Sequence, residues 1–167
     1  AAKENGQPIV PEVCIFFEND LMRGNRTSKI NADHFNAFRS YNYPVLAHAG
    51  IYIKYDDRQI YHPISRKPLK PHFLLDRNIA ILKLFPGISP LVIESILNIP
   101  GIKGIVMETF GSGNAPSQEW FLKMLKDAVD RGIVIVNITQ CSAGSVEMHR
   151  YETGHKLLEA GVISGFD

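Results

Sequence analysis

The feature that most constrains the fold is the alternation of apolar runs and amphipathic segments in the second half of the chain. The runs NIAILKLF, GIKGIVMETF and IVIVNIT have the length and the β-branched content of buried strands. The segments SPLVIESILN and SQEWFLKMLKDAVDRG lie between these runs, and RYETGHKLLEAGV follows them as a predicted last helix. Strands and helices that alternate at this spacing predict right-handed βαβ units and a parallel sheet.

Two of the predicted helices carry boundary signals. Ser89 directly precedes Pro90, which is typical of an N-cap followed by the first helical position. Gly132 is the expected stop of the next helix. That helix also has an apolar stripe, which predicts the face that packs on the sheet. The stripe consists of Trp120, Phe121, Met124, Leu125, Ala128 and Val129.

The first third of the chain has a different pattern. The run VPEVCIFF, residues 10–17, is almost continuously apolar, so it predicts a strand buried on both faces, as in a parallel sheet. GIYIKYDDRQIYHPI alternates and breaks at its two aspartates, which predicts a hairpin. SRKPLKPHF, residues 65–73, contains two prolines and no hydrophobic period, and it predicts a linker.

Composition limits the classes of function. A net charge of +1 over 167 residues gives no electrostatic reason to expect binding to nucleic acid or to an acidic membrane. The two cysteines, Cys14 and Cys141, do not form a disulfide framework. The histidines have no ligand-like spacing, so no metal site is expected. Both ends have the pattern of interior sequence, and we expect the chain to be a piece of a longer protein.

Polar loops follow two of the predicted strands. TFGSGNAPS and TQCSAGS would lie at the carboxyl edge of the sheet, where ligands of α/β proteins bind, and they are neighbours if their strands pair. GSGNAPS lacks the Lys-Ser/Thr end of a nucleotide loop, and glycines that serve only a tight turn explain it equally well. No cation flanks Cys141, which favours an ordinary thiol over a nucleophile. A small polar ligand or a partner chain is the expected occupant.

The segment RGNRTSK places Arg23, Arg26 and Lys29 around a pair of hydroxyls, just after the first apolar run. A functional lysine and a solvated surface charge both fit this pattern, and the pattern alone favours the surface charge.

Longer stretches are more specific than these short motifs. LMRGNRTSKINADHFNAFRSYNYPVLAHAGI, LFPGISPLVIESIL, METFGSGNAP and DRGIVIVNITQCSAGSVEMHRYETGHKLLEAGVISGFD together resemble bacterial type I L-asparaginases, the cytoplasmic form. The resemblance runs from about Val13 to Asp167. It implies an α/β fold of parallel-sheet sandwich layers. Residues 1–64 would end a larger N-terminal catalytic domain, 65–77 would be a linker, and 78–167 would form a smaller C-terminal domain, truncated at its end.

The resemblance also implies a chemistry. The family hydrolyses L-asparagine to L-aspartate and ammonia with a threonine nucleophile in a Thr-Gly-Gly-Thr segment, supported by a Thr-Asp pair and a lysine. That lysine corresponds to Lys29. Neither threonine motif occurs in this chain, so the chain alone is expected to be inactive. The resemblance implies no cofactor, a homo-oligomer of two or four subunits, a cytoplasmic location, and neither nucleic acid nor membrane as a partner.

The loops of the second domain have implied roles as well. In the family this region lies near the active site of a neighbouring subunit, so Asn114 is expected to reach toward a partner chain. Some type I enzymes bind a regulatory asparagine between subunits, and Thr139 and Cys141 match positions of that site. A basic residue of the site corresponds to Glu108 here, and its negative charge is expected to repel the carboxylate of the ligand.

Two other functions stay open at this stage. The asparaginase-like component of tRNA-dependent amidotransferases shares the chemistry, but a tRNA-binding surface should make it basic, and this chain is nearly neutral. A non-catalytic module that only self-associates is the second alternative.

Overall fold

The computed structural model describes residues 3–65, 68 and 70–166. The chain divides into two compact units, Ala1–Pro71 and His72–Asp167. The division falls within the segment 65–77 that was predicted as a linker, and the described residues of that segment contain neither helix nor strand. The remaining linker residues, Arg66, Lys67 and Leu69, lie outside the described residues, as do Ala1, Ala2 and Asp167 at the ends of the two predicted domains.

The first unit consists of short antiparallel strands. These are β1 (Lys3–Glu4), β2 (Gln7–Pro8), β3 (Cys14–Phe17), β4 (Asp20–Arg23), β5 (Ser28–Lys29), β6 (Phe38–Arg39), β7 (Ala47–Ala49) and β8 (Ile53–Tyr55), with a 3-10 turn at Gly24–Arg26. A four-stranded sheet has the order β3-β4-β7-β8, and β1-β2 and β5-β6 are two-stranded hairpins. Together with the parallel sheet of the second unit, described below, these antiparallel sheets give a mixed α/β fold, in agreement with the predicted fold class.

Two local predictions for this unit were wrong. The run 10–17 is not a strand of a parallel sheet buried on both faces, because β3 pairs antiparallel with β4 and Phe16 is 59% exposed. An apolar run does not by itself distinguish the two kinds of sheet. The predicted hairpin also does not form across the two aspartates. β8 pairs back with β7, and the chain then turns at Asp56, whose carbonyl accepts from the Gln59 N–H at 2.9 Å.

The second unit follows the predicted alternation. Its elements are β9 (Ile79–Lys83), α1 (Pro90–Leu97), β10 (Gly104–Thr109), α2 (Glu119–Asp130), β11 (Val134–Thr139), α3 (Glu152–Glu159) and β12 (Ile163–Ser164). The sheet is parallel throughout, in the order β12-β11-β10-β9. The short strand β12 was not predicted, since two residues are too few to show a period.

The helix boundaries also agree with their sequence signals. The Ser89 hydroxyl accepts from the Val92 N–H at 3.4 Å and Pro90 begins α1. After α2 the backbone of Gly132 has φ +89°, a left-handed conformation that glycine adopts without strain. The predicted stripe of α2 packs on the sheet, with Phe121 completely buried.

One face of the parallel sheet carries the core of this unit. Leu82, Ile105, Met107 and Ile135 point from the strands into a buried cluster to which α1, α2 and α3 all contribute side chains. Sequential strand order with right-handed crossovers places successive helices on the same face of a sheet. Among the described residues, no helix has the length and apolar character that crossing a membrane requires.

Candidate functional site at the carboxyl edge and at Lys29

The two polar loops of the second unit lie side by side, as predicted. β10 and β11 pair in parallel with Thr109 beside Thr139, so the loops that follow these strands leave the sheet together. The N–H of Gln140 donates to the Thr109 carbonyl at 2.9 Å and extends this pairing into the loops. The carboxyl edge of the sheet therefore carries both candidate loops.

A buried polar pair lies below the loops. Thr109 and Asn137 are completely buried, and the Thr109 hydroxyl donates to Asn137 Oδ1 at 2.6 Å. The Asn137 amide donates in turn to the Gly113 carbonyl at 3.5 Å. Buried polar groups are expected to be paired in this way. This pair was not predicted from the sequence, although an asparagine within the aliphatic run IVIVNIT was the available signal.

Thr139 connects the two loops through its hydroxyl. That hydroxyl donates to the Gly111 carbonyl in the first loop and accepts from the Cys141 N–H in the second loop at 3.0 Å. In this conformation the hydroxyl proton of Thr139 is therefore used in the hydrogen bond to Gly111. Cys141 itself is an exposed free thiol.

Gln140 provides a second connection, which was not predicted from the sequence. Its side-chain amide donates to the Leu84 carbonyl at 2.6 Å and to the Glu108 carbonyl at 2.9 Å. Both hydrogens of the amide are used, and they join the carboxyl ends of β9 and β10. A glutamine directly after a strand was the only signal in the sequence, and it does not indicate which carbonyls it will bind.

Asn114 lies in the first of the two loops, and we call the two loops with Asn114, Thr139 and Cys141 the loop cluster. Its backbone exchanges two hydrogen bonds with Phe110, and its side-chain oxygen accepts from the Thr153 hydroxyl at 3.0 Å. Thr153 lies in the first turn of α3, so the tip of the first loop is held against that helix. Asn114 remains exposed at the surface.

Glu108 is oriented differently from the other three candidates. Strand register places it beside Lys83 and Ile138, and successive strand residues point to opposite faces, so its side chain is on the face opposite to Thr109 and Thr139. Its carboxylate lies 3.0 Å from the Lys83 ammonium. The structure thus brings Asn114, Thr139 and Cys141 together and places Glu108 on the other side of the sheet.

Lys29 lies in the first unit, on the β5-β6 hairpin. The hairpin pairs Lys29 with Phe38, and the Phe38 ring packs on Phe17 with ring centroids 4.9 Å apart. This contact fixes the hairpin on the four-stranded sheet. The Lys29 side chain is exposed, and within residues 3–65, 68 and 70–166 its ammonium has no hydrogen-bond or ion-pair partner.

The neighbouring Arg23 has a structural role. Its guanidinium binds both carboxylate oxygens of Glu12, one of them at 3.0 Å, and donates to the Gln59 carbonyl at 2.8 Å. The Tyr61 N–H also donates to Glu12 at 2.7 Å. These bonds, chiefly those from Arg23, hold the pKa of Glu12 below its ordinary value. The guanidinium of Arg26 stacks over the Tyr43 ring, 4.4 Å from its centroid.

No group of three or more His, Cys, Asp or Glu side chains in the described part of the chain is arranged to hold a metal ion.

Comparisons with known proteins cover both units. The family model described as "Asparaginase, N-terminal" matches residues 1–61, and "Glutaminase/Asparaginase C-terminal domain" matches residues 78–167. L-asparaginase 1 of Escherichia coli K12 is 42% identical over 167 residues, which is 95% of this chain and 46% of that protein. The 60 kDa lysophospholipase of mouse is 41% identical over 162 residues, 97% of this chain and 28% of that protein.

A solved structure supports the same relationship. L-asparaginase I from Vibrio cholerae matches with a TM-score of 0.84 and 42% identity, over 95% of this chain and 47% of that one. The chain thus spans about half of the two bacterial proteins and about a quarter of the mouse protein. Family models that match both parts in series, together with this identity and this fold, show that the chain belongs to the asparaginase family.

Proposed function

We propose that the longer protein containing this chain hydrolyses L-asparagine to L-aspartate and ammonia. The observation that carries this proposal is the serial match of both asparaginase domain models to one chain, with relatives of over 40% identity that are named L-asparaginase. The nucleophile is a threonine upstream of this chain. A threonine hydroxyl attacks an amide only when neighbouring groups help to remove its proton.

Lys29 is the catalytic residue that this chain supplies. It lies on a hairpin fixed by the Phe17–Phe38 contact, and its ammonium is exposed. An ammonium without a competing partner can bind the polar groups of an upstream Thr-Asp pair and assist proton transfer from the nucleophile. On this proposal, residues 1–64 complete the catalytic domain, 65–77 connect it, and 78–167 form the second domain. The 167-residue chain alone has no activity.

The loop cluster of the second unit is proposed to act between subunits of a homo-oligomer, either a dimer or a tetramer. Asn114, Thr139 and Cys141 lie together at an exposed edge, which supports contact with a partner chain or with an amino-acid ligand. In the present conformation Thr139 offers a ligand only an acceptor, because its proton is donated to Gly111. Glu108 contributes least to such a site, since it is paired with Lys83 on the opposite face.

The cytoplasm is the proposed location, by analogy with the type I enzymes that the sequence resembles. L-asparagine is the proposed small-molecule partner.

Two alternatives have less support. Relatives from Pyrococcus furiosus and Methanobrevibacter smithii that are named for glutamyl-tRNA(Gln) amidotransferase are 34% and 32% identical to this chain, less than the E. coli asparaginase. A tRNA-binding protein is expected to be basic, whereas this chain has a net charge of only +1. The name lysophospholipase belongs to relatives of which this chain covers 28%. Ammonia release from asparagine and from glutamine, and fatty-acid release from a lysophospholipid, are measured for the longer protein to separate these functions. A protein that only self-associates would release neither product.

A further inference from the structure

Two histidines of the second unit lie next to each other beside the loop cluster. His149 is in the segment between β11 and α3, and His155 is in the first half of α3. Their imidazole rings have centroids 6.0 Å apart and are inclined by 73°. Both side chains are exposed, and within the described part of the chain neither ring has a hydrogen-bond or ion-pair partner. The fold thus brings together two nitrogen ligands whose spacing in the sequence does not indicate a site.

A close backbone contact fixes the positions of the two histidines relative to each other. Met148 precedes His149 in the chain, and it lies directly against Gly154, the residue before the second histidine. A Cβ on Gly154 would come within 2.2 Å of the Met148 carbonyl oxygen, so this approach requires glycine. Met148 is only 2% exposed, and Gly154 is buried as well. The two imidazoles therefore extend into solvent from a tightly packed base.

The separation of the rings fits a shared metal ion. A Zn²⁺–nitrogen bond is about 2.0–2.1 Å long, so the centroid of a bound imidazole lies about 3.2 Å from the ion. Two such rings have centroids about 5.2 Å apart at the tetrahedral angle and about 6.4 Å apart on opposite sides of the ion. The observed 6.0 Å lies within that range. Because both rings are exposed, rotation about their side-chain torsions can aim one nitrogen of each at the same point.

The charges around the two rings permit a bound cation. A basic residue follows each histidine, but both basic residues are paired with carboxylates. The Arg150 guanidinium is 3.1 Å from Glu147, and the Lys156 ammonium is 2.7 Å from Glu152. Glu159 lies one turn after the second histidine on the same face of α3 and adds a negative charge. The local charge therefore does not oppose a divalent ion.

We propose that His149 and His155 form a binding site for a divalent transition-metal ion of the Zn²⁺ class, with water as the remaining ligands. Neutral imidazole suits Zn²⁺, Ni²⁺ and Cu²⁺, whereas Mg²⁺ prefers oxygen ligands. Two protein ligands are fewer than the four of a structural zinc site, so the ion binds reversibly. It links the segment after β11 to α3 on either side of Thr153, whose hydroxyl donates to Asn114. The bound ion thus stabilises the loop cluster.

Isothermal titration calorimetry of the longer protein, purified without a histidine tag, tests this proposal with Ni²⁺ and with Zn²⁺. His149→Ala and His155→Ala each remove one ligand, and His34→Ala is a matched control at another exposed histidine. Because all three side chains are exposed, the variants should stay folded, and circular dichroism checks this. Mg²⁺ is the control for a site made of oxygen ligands.

We expect His149→Ala and His155→Ala each to weaken the binding of Ni²⁺ and Zn²⁺ by roughly 100-fold, because two linked ligands bind one ion far more tightly than either ligand alone. His34→Ala should leave the affinity unchanged, and Mg²⁺ should not compete. Unchanged affinity in either of the first two variants would overturn the proposal, since the two rings would then not share the ion. Competition by Mg²⁺ would also overturn it, because the ligands would then be oxygens.

Discussion

The ammonium of Lys83 lies 3.0 Å from the carboxylate of Glu108, across two neighbouring parallel strands. This pair changes the electrostatic argument that the sequence alone supports. An unopposed Glu108 would repel a ligand carboxylate, whereas a paired Glu108 is close to neutral in its effect at a distance. Alternation along β10 also turns it away from Thr139, so it cannot clamp a ligand held between the two loops.

We therefore predict that the longer protein shows no positive cooperativity toward asparagine, with a Hill coefficient of about 1, as expected for uncoupled sites. Neither the position nor the charge of Glu108 provides the charge-assisted bonds that a bound carboxylate requires. Steady-state rates against asparagine concentration measure this. A sigmoidal curve that becomes hyperbolic on mutation of Thr139 or Cys141 would show that the loops bind a regulator without Glu108.

Removal of the Thr139 hydroxyl should loosen the loop cluster. Thr139→Val loses the bonds to the Gly111 carbonyl and the Cys141 N–H, and we expect a loss of about 1–2 kcal/mol in the free energy of unfolding. Urea denaturation of the 167-residue chain measures it. Thr139→Ser keeps the hydroxyl and should stay closer to the parent chain. A loss in Thr139→Ser with none in Thr139→Val would mean that the methyl group, not the hydroxyl, stabilises this region.

The buried Thr109–Asn137 pair should be more sensitive to the loss of one partner. Thr109→Val preserves shape but leaves Asn137 Oδ1 without its donor inside the core, which costs roughly 1–3 kcal/mol. The double variant Thr109→Val with Asn137→Leu removes both polar groups, and its cost should be smaller than the sum of the single costs. Additive losses in the same urea experiment would argue against direct coupling of the two side chains.

The Glu12–Arg23 contact predicts a pH dependence of stability in the first unit. Arg23 lowers the pKa of Glu12 in the folded chain below its ordinary value of 4.5. A carboxyl group whose pKa is lower in the folded chain than in the unfolded chain stabilises the fold at pH values above its unfolded pKa. This stabilisation is lost as the pH falls through the pKa of the folded chain. Stability of the first unit should thus decrease below about pH 4.5. Glu12→Gln should flatten that part of the profile when thermal unfolding is followed from pH 7 to pH 3, and an unchanged slope would exclude Glu12 as its source.

Much of the second unit could be predicted from sequence because its elements are long and locally marked. Ser89 before Pro90, and Gly132 after an apolar stripe, give boundaries that tertiary contacts do not override. The β3 strand was mispredicted because its apolar residues do not by themselves distinguish parallel from antiparallel pairing. Its partner β4 begins at Asp20, with only two residues between it and the end of β3, and pairs back with it as a hairpin. The two-residue strand β12 has no local signal at all.

The contacts of the candidate site also could not be predicted from local sequence. Thr139 and Asn114 were identified through a resemblance, but their hydrogen bonds depend on strand register. Gln140 and the Lys83–Glu108 pair were missed because their partners are remote in sequence and meet only when the sheet forms.

The central claim, that this chain supplies a catalytic lysine to an asparaginase, has one direct test. Ammonia release from L-asparagine is measured for the longer protein, for Lys29→Met, and for Lys54→Met as a control at another exposed lysine of the first unit. We predict that Lys29→Met lowers kcat by roughly 100- to 10,000-fold, the range of general acid–base contributions, while the protein stays folded and Lys54→Met keeps its activity. A Lys29→Met protein with nearly unchanged kcat would contradict the account, and Lys29 would be an ordinary surface charge.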